Sequence, residues 1–565
     1  MWSRSSSRTI TAEGNAMPRR RVEVPLALLL LGAAVAARPT PRASAASTPT
    51  TGALAGSDAA VVATIDETLR SVWREAGVSP SRPAPDEKWA RRLYLDLVGR
   101  TPTYGELADF ASRPPSERRG WLIDRLLGPE SADERSRWAA THWANLLIGR
   151  TGGGRRSLAD RESFKRYLAA AFAENRPYDK LAREMITATG SVRPEDDDHN
   201  PAASFLADKM AERGVQATAK TAQVFLGVSV QCTQCHDHPF NEWRQNQFWE
   251  LNAFFRQTRL ERLRPEGGGR PKARLIDRDF YGEGRGPARL ASLAPGAPEQ
   301  AESYYELRNG KLRVAYPVFI DGTSLADVFA GRGRAHGDSG RLSLVNRREE
   351  LASLVVESED FAAAAVNREW ARLLGRGFTR PPEDRGPHNP PAHPSLLEAL
   401  AEAFRNSGHD LTRLTRWIVS SEAYGLDSRA GRVNEDDNAR EGPDGGPPLF
   451  SRFYVRQLTA EQVYDSLLSA SRADEAVADD RRDQMRTAWL RRFTIALGND
   501  ENGEATSFNG SIPQALAVMN GQVTRRATDL RWSKPNSPDG ESLSESDERR
   551  RPIGFLSEVA YDPRL

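Results

Sequence analysis

The sequence predicts a mainly α protein with two helical domains, a linker rich in Gly, Pro and Arg, and one small β-hairpin. Apolar residues recur at helical spacing over most of residues 60–260 and again over residues 321–530. The segment between them, 261–320, changes character: it contains three consecutive glycines, many arginines and several prolines. Near its end, an alternating stretch follows Asn309-Gly310, a pair that favours a hairpin with a type I′ turn.

The first 45 residues have the pattern of a secretory signal. Arg19, Arg20 and Arg21 precede an apolar run, and Ala43-Ser44-Ala45 supplies the small residues of a cleavage site. The run is too short to span a bilayer comfortably, although an uncleaved N-terminal anchor is an alternative interpretation. The residues upstream are polar and unpatterned, which suggests an extension with translation starting at Met17. No later segment is apolar enough to cross a membrane, so we expect an exported protein of the periplasm or cell surface.

Helical periodicity is clear through the first domain. A helix over the apolar positions before Leu226 should end at Gly227, and another helix should end at Gly99, ahead of a Thr-Pro turn. Downstream, Asn241 is placed to cap a further helix. Aromatic residues are dense in and just before that helix, which suits either a flat macrocycle or an ordinary core. They are Trp243, Phe248, Trp249, Phe254 and Phe255.

The two cysteines of the chain, Cys232 and Cys235, stand three residues apart with His236 directly after the second. Cys-x-x-Cys-His is the attachment spacing for c-type haem, in which two thiols bond the porphyrin and the adjacent imidazole binds the iron. This interpretation makes Cys232 and Cys235 the thioether residues and His236 the proximal iron ligand. His238, two residues further on, is expected beside the cofactor in a supporting or structural role.

Three other interpretations of this motif remain open. In an exported protein, Cys232 and Cys235 can form a short, strained disulfide. Zinc could use both cysteines with one or both of His236 and His238, although a closed site needs four ligands and so short a turn supplies about three. The two thiols could also remain unmodified.

The second helical domain is followed by a polar tail. Thr459 and Gln462 have the spacing of a capping box ahead of a helix. The tail, residues 531–565, is polar and is expected to be disordered. The predicted organisation is therefore a signal segment, two helical domains with a linker and hairpin between them, and this tail.

The composition limits the classes of function. The chain has 79 Lys and Arg against 77 Asp and Glu, so no overall field favours nucleic acid. We find no nucleophile-elbow Gly-x-Ser-x-Gly, no His-Glu-x-x-His and no phosphate-binding glycine loop. Simple hydrolase signatures are therefore missing from the sequence.

Several long motifs, in order, resemble a family of exported planctomycete proteins. A segment over residues 91–103, reading Arg-Arg-Leu-Tyr-Leu-Asp-Leu-Val-Gly-Arg-Thr-Pro-Thr, and Gln231 to Phe240 resemble the two ends of that family's cytochrome-type domain of unknown function. Residues 366–370, 389–394 and 458–462 resemble landmarks of the partner domain that follows it. The resemblance implies an exported, haem-linked protein and supplies no substrate. The family pattern continues past the counterpart of Leu565 with another helix, so a short variant or a truncated gene product is expected here.

A six-coordinate haem needs a ligand on its second face, most often Met or His. The weak candidates for this distal ligand are His142 in a Trp-rich helix, His393 in a motif of the second domain, and Met210. The sequence does not choose among them.

The sequence favours a redox role, either in electron transfer or as the haem subunit of an extracytoplasmic oxidoreductase. The alternative is a non-haem binding or scaffold protein of the cell surface, in which the cysteines form a disulfide or part of a zinc site. Neither a redox partner nor a surface polymer can be named from the sequence, and whether the protein is an enzyme is left open.

Overall fold

The computed structural model describes most of the chain from Asp58 to Ser471. The described residues are 58–150, 157–239, 241–263, 272–279, 303–334, 337, 340–430, 446–471, 484–490, 519, 531–532 and 552–553. The predicted signal, 1–45, lies outside the described residues, as does the predicted tail apart from two short strands. Among the described residues, no helix has both the length and the apolar character needed to cross a bilayer.

Helices dominate the described chain, which confirms the predicted fold class. The first helical region contains α1 (Asp58–Glu75), α2 (Asp86–Leu97), α3 (Tyr104–Ser112), α4 (Arg118–Leu127), α5 (Ala132–Ile148), α6 (Arg161–Ala173), α7 (Tyr178–Thr187), α8 (Ser204–Ala207), α9 (Val215–Thr221) and α10 (Gln245–Asn252). The second contains α11 (Leu325–Gly331), α12 (Arg347–Glu357), α13 (Glu359–Leu374), α14 (Pro394–Asn406), α15 (Leu411–Ser420), α16 (Glu422–Gly425) and α17 (Ala460–Ser471).

The β-structure consists of short antiparallel pairings. Strands β1 (Gly190–Ser191), β2 (Thr258–Leu263) and β3 (Lys272–Asp277) form a sheet in the order β1-β3-β2. Strands β4 (Ser303–Glu306) and β5 (Leu312–Ala315) form the predicted hairpin, and β6 (Arg531–Trp532) pairs with β7 (Pro552–Ile553). Part of the segment predicted as linker is therefore ordered as β3, between β1 and β2.

The hairpin has a different turn from the one that the sequence suggests. A type I′ turn requires a positive φ at both central residues, whereas here Gly310 has a φ of 79° and Asn309 does not have a positive φ. The N–H of Gly310 donates to the carbonyl of Leu307 at 2.9 Å, and the carboxamide oxygen of Asn309 accepts from the N–H of Lys311 at 3.1 Å. The glycine thus provides the one left-handed residue of a longer loop.

Local helix signals mostly behave as predicted. Gly99 ends the turn after α2 with a φ of 79°, and Thr459 and Gln462 form the expected capping box at 3.0 and 3.2 Å. The prediction for Asn241 was wrong. Helix α10 begins only at Gln245, and the carboxamide oxygen of Asn241 instead accepts from the N–H of Trp243 at 2.9 Å.

The two helical regions share one hydrophobic core. Helix α1 has an apolar stripe at every fourth residue, Val61, Ile65, Leu69 and Trp73, and it packs against α14 and α15 of the second region. Helix α13 is buried on nearly all sides because the run of alanines at 362–365 lets neighbouring elements approach closely. The described core therefore runs continuously through both regions.

Candidate functional site

The motif follows a helix that changes pitch before it ends. Helix α9 continues into one π-helical turn, Ala222–Leu226, which ends at Gly227. Gly227 has a φ of 66°, and a Cβ added there would lie 3.1 Å from the Cβ of Ala364 in α13. A glycine fits this position because it allows both the left-handed backbone and the close packing. The chain therefore reaches the motif from a point fixed against the second region.

Cys232 lies in a short 3-10 turn, Gln231–Gln234, and Cys235 directly follows that turn. Thr233 is fully buried, and its N–H and hydroxyl donate to the carbonyl of Val230 at 3.0 and 2.6 Å. Cys232 and Cys235 are both exposed, whereas Thr233 between them is buried, so the two cysteines lie on the outer surface of this segment. Both thiols are exposed and free.

Helix α10 holds this turn in place. The carbonyl of Gln234 accepts from the indole N–H of Trp249 at 3.1 Å and from the carboxamide of Gln245 at 3.3 Å. The Asp237 carboxylate accepts the N–H of Gln245 at 2.8 Å, close to the start of the helix. Gln234, between the two cysteines, and Asp237, after His236, are thus bonded to the same helix.

The two motif histidines have different hydrogen bonds. Nδ1 of His236 lies 2.6 Å from the carbonyl of Asp237, so it donates and leaves Nε2 without a proton in the neutral ring. Nδ1 of His238 instead accepts from the N–H of Asn241 at 3.2 Å, and the backbone N–H of His238 donates to the carbonyl of Trp243 at 2.8 Å. His236 therefore has the tautomer of a metal ligand, while His238 braces a turn.

A cavity of about 900 Å³ adjoins the motif on its C-terminal side. Its wall includes Asp237, Trp243 and Glu250 from the first region, Ile320 from the segment after the hairpin, and His388 from the second region. The volume lies within the range of small-molecule and cofactor sites. Cys232, Cys235 and His236 do not line the cavity themselves; they lie next to the wall at Asp237.

The aromatic residues near the motif divide into two groups. Phe248, Phe254 and Phe255 are buried in the core, as their ordinary-core interpretation requires. Trp243 is half-buried and lines the cavity, and Trp249 stacks on Tyr305 of the hairpin with ring centroids 5.8 Å apart. Trp243 is therefore the member of the set that is available to a ligand in the cavity.

The three candidate distal ligands lie elsewhere. His142 lines a separate cavity of about 80 Å³. His393 is buried, with Nε2 2.8 Å from the carbonyl of Pro448, and Met210 is buried beside Gly214. None of the three lines the cavity at the motif.

Sequence reasoning missed the histidine that does reach this cavity. His388 lies in the loop between α13 and α14, and its ring is 6.2 Å from that of His238, centroid to centroid. Two local signals could have pointed to it. It follows Gly386-Pro387 in a turn, and it directly precedes the Asn389 landmark.

The residues at the motif fit the attachment site of a c-type haem. Such a site uses two accessible thiols followed by an imidazole whose Nε2 is available. Cys232, Cys235 and His236 provide this donor set. In the described part of the chain, no group of three or more His, Cys, Asp or Glu is arranged to hold a metal ion. The zinc alternative gains no support from this arrangement.

A polar cluster away from the motif also joins the two regions. The Asp96 carboxylate accepts from the hydroxyl of Tyr424 at 2.8 Å and from the guanidinium of Arg456. Its backbone carbonyl accepts from Arg372 at 2.8 Å and from the indole of Trp138 at 3.0 Å. We call the buried polar contacts between the two regions the seam; it begins with Asp96 and includes the three clusters described next.

Glu369 and His142 lie next to Asp96, and their surroundings favour opposite charge states: ionised for the glutamate and neutral for the histidine. Burial raises the pKa of Glu369, but the guanidinium of Arg372 and the hydroxyl of Thr415, 2.7 Å away, bring it below its ordinary value. Burial lowers the pKa of His142 to about 4, and Arg372 adds to this effect. The glutamate is therefore charged and the histidine neutral near pH 7.

Two buried arginines at the start of α12 extend the seam. Arg348 donates to Asp277 at 2.7 Å and to the carbonyls of Ile186 and Ala188 at 2.9 and 2.8 Å. Arg347 donates to the carbonyl of Ala253 at 2.9 Å. These guanidinium groups bind backbone oxygens of residues that are buried in the first region.

The last cluster of the seam involves α17. Glu461 accepts from Arg150 at 3.2 Å and from the carboxamide of Asn145 at 3.0 Å. Burial raises the pKa of Glu461, but Arg150 overcomes this effect and lowers it to about 2. Gln462 donates to the carbonyl of Leu95 at 2.9 Å. Asp96, Glu369, Glu461 and Gln462 all come from the landmark segments, so these segments meet at the seam.

Comparison with known protein families gives two matches in tandem. Residues 64–260 match the family PSCyt2, described as a protein of unknown function (DUF1549), and residues 347–493 match PSD1, described as a protein of unknown function (DUF1553). No curated protein and no solved structure matches the chain. The matches support a pairing of two domains of unknown function, in the order that the sequence landmarks predict.

Proposed function

We propose that this chain, which carries two domains of unknown function in tandem, is an exported c-type haem protein with a redox role. Cys232 and Cys235 would form the thioether bonds and His236 would be the proximal iron ligand. The bound haem would supply one-electron chemistry. The substrate or redox partner is not part of the proposal.

One observation carries this proposal. Two exposed thiols stand within and directly after the 3-10 turn, while the Asp237 carbonyl accepts from Nδ1 of the adjacent His236, which makes Nε2 the nitrogen without a proton in the neutral ring. A purely structural role for the turn would not require accessible thiols beside a histidine in this tautomer. The cavity of about 900 Å³ next to the turn supplies space for a ligand of cofactor size.

Export supports the same proposal. The predicted signal would place the chain where thiols are otherwise open to oxidation, which is also where bacterial c-type haem is attached. The protein would act in the periplasm or at the cell surface. Its size favours an oxidoreductase subunit or a partner-binding protein over a minimal electron carrier.

The test is expression of the full chain in a periplasm that contains haem-ligation machinery, followed by an absorption spectrum and an intact mass. We expect a sharp Soret band and a covalent porphyrin mass. Both should be lost in the double variant Cys232→Ala/Cys235→Ala, while His199→Ala serves as a matched control in which both should persist.

A colourless protein would contradict the proposal if a known cytochrome matures under the same conditions. If the colourless chain also has a mass lower by two hydrogen atoms, the non-haem alternative with a disulfide is supported instead.

A further inference from the structure

The wall of the cavity beside the motif suits a ligand other than the haem. Cys232, Cys235 and His236 lie next to this cavity of about 900 Å³ but do not line it. Polar side chains make up most of its described lining, with carboxylates, carboxamides and one guanidinium among them. The carboxylates are those of Asp237, Glu242 and Glu250, and the carboxamides are those of Asn241, Asn246 and Gln247.

The charges and the polarity of this wall disfavour several classes of ligand. In the described lining, three carboxylates outnumber the guanidinium of Arg244, so an anionic ligand would be repelled. Among the described residues, these carboxylates do not form a metal-binding group. An apolar ligand would bury the polar groups without giving them partners. Hydroxyl groups suit the wall, because a hydroxyl can donate to a carboxylate and accept from an N–H.

Helix α10 supplies a preformed part of this polar wall. Asn246, Gln247 and Glu250 are three or four residues apart, so they share one face of the helix. Oε1 of Glu250 accepts from the carboxamide of Asn246 at 3.1 Å, and Oε1 of Gln247 accepts from the N–H of Arg244 at 2.9 Å. Each bond orients a side chain but uses only one of its polar groups. The second oxygen of Glu250 and the N–H groups of Gln247 can therefore bond hydroxyls of a ligand.

Trp243 supplies the aromatic part of the wall. Its N–H donates to Oδ1 of Asn241 at 2.9 Å, and its carbonyl accepts the N–H of His238 at 2.8 Å, so the backbone that carries the indole is fixed. The indole packs partly against the hydrophobic core and is half-buried. A sugar ring has C–H groups on its faces and hydroxyls around its edge. Such a face packs on an aromatic ring while the hydroxyls bond polar neighbours.

We propose that this cavity binds a short, uncharged oligosaccharide, a class of ligand that the proposed function does not name. One sugar face would pack on Trp243, and the hydroxyls would bond the polar face of α10. Pro387 and His388 add wall from the second region, whose loop is held where the N–H of Arg385 donates to the carbonyl of Gly227 at 2.8 Å. The site thus lies where the two regions meet, a common location for ligand sites.

The test applies the full chain, in haem-loaded and haem-free forms, to a glycan array that carries neutral and acidic oligosaccharides. Neutral glycans should bind and acidic ones should not, with the same set bound by both forms of the chain. A neutral oligosaccharide from that set is then titrated by calorimetry. Trp243→Ala should weaken its binding by at least about tenfold, because the stacking surface is lost. Trp121→Ala, which changes a half-buried indole outside the cavity, should leave the affinity unchanged.

A second variant keeps the shape of the wall. Glu250→Gln preserves the side-chain volume and should weaken binding about threefold to tenfold, because an oxygen that accepts from a hydroxyl loses its charge. Since the ligand is uncharged, its affinity should be equal at low and high salt.

Three results would overturn the inference: no glycan bound above the level of Trp243→Ala, binding of acidic glycans alone, or wild-type affinity in both Trp243→Ala and Glu250→Gln. If tetramethylammonium binds instead of any glycan, and more weakly at high salt, the cavity is a cation site. Haem attachment is read separately from the intact mass, so the failure of either proposal leaves the other standing.

Discussion

The seam and the motif both lie where the two halves of the chain meet, but their polar groups are satisfied differently. At the seam, Arg348 and Asp277 are buried and bond each other, and Asp96 bonds Tyr424. At the motif, both cysteines are exposed, and the nearby His388 has ring nitrogens without aligned hydrogen bonds in the described structure.

This difference separates residues that bond within the fold from the exposed thiols, to which the proposal above assigns a ligand. The fold alone accounts for the seam, because each of its charges has a partner within the chain. It does not account for two exposed thiols beside a histidine. Changes at the seam should therefore act on stability, and changes at the motif should act on ligand attachment. The four predictions below test this division, from the largest expected effect on stability to the smallest.

Removing a buried charge at the seam should have the largest effect. Arg348→Met leaves the Asp277 carboxylate buried without its guanidinium partner and should lower the free energy of unfolding by about 3–5 kcal/mol. Urea denaturation followed by circular dichroism measures this change. The matched control is Arg278→Met, which removes the exposed pair with Glu261 and should cost less than about 1 kcal/mol. Equal losses in the two variants would mean that the seam is no more important than a surface ion pair.

Acid should weaken the seam through His142. The pKa of His142 is lowered from 6.5 to about 4 in the folded protein. Between these pH values, His142 is protonated in the unfolded chain but neutral in the folded chain, so acid favours unfolding. The free energy of unfolding should therefore fall as the pH is lowered from about 6.5 to about 4, by at most about 3 kcal/mol from this residue. His142→Leu should have a shallower dependence over the same range, as measured by denaturation at several pH values. Identical slopes in the two proteins would show that His142 does not titrate in this way.

The anchor of the motif turn should have a smaller effect on stability. Thr233→Val keeps the buried shape but removes the hydroxyl that donates to the Val230 carbonyl at 2.6 Å. The loss should be about 1 kcal/mol, the usual net contribution of one hydrogen bond. Thermal melting measures it, and Thr233→Ser, which keeps the hydroxyl, is the control. If both variants melt alike, the hydrogen bond does not hold the turn.

The cysteines themselves should matter least for stability. Because both thiols are exposed and free, Cys232→Ser/Cys235→Ser should change the free energy of unfolding of the haem-free chain by less than about 0.5 kcal/mol. The same variant should lose covalent haem completely. A large loss of stability in the haem-free, reduced protein would show that the cysteines support the fold, as the seam residues do. That result would contradict a ligand-binding role for them.

Signals within a few residues predicted the fold well. The helix end at Gly227, the hairpin after Glu306 and the capping box at Thr459 each depend on a short segment whose propensities agree with the final structure. Asn241 shows the limit of such signals. Its oxygen is used by Trp243, while Asp237, further back along the chain, bonds the start of α10.

Pairings between distant segments could not be predicted from one sequence. Strand β1 pairs with β3, which lies far along the sequence: Gly190 is opposite Leu275. Nothing local in Gly190-Ser191 indicates a strand. In the same way, the motif could be found by its spacing, but the approach of His388 depends on how the loop after α13 packs against Gly227. Both the β1–β3 pairing and the contact at Gly227 depend on how distant segments pack, which the propensities of the local residues do not indicate.

The apolar stripe of α1 has a practical consequence. This helix opens the first region, yet its four stripe residues face α14 and α15 of the second. A fragment ending near residue 260 would expose that stripe to water and should aggregate. Anyone who separates the halves for crystallography would need to co-express them so that they assemble in trans, or to replace Val61, Ile65, Leu69 and Trp73 with polar residues.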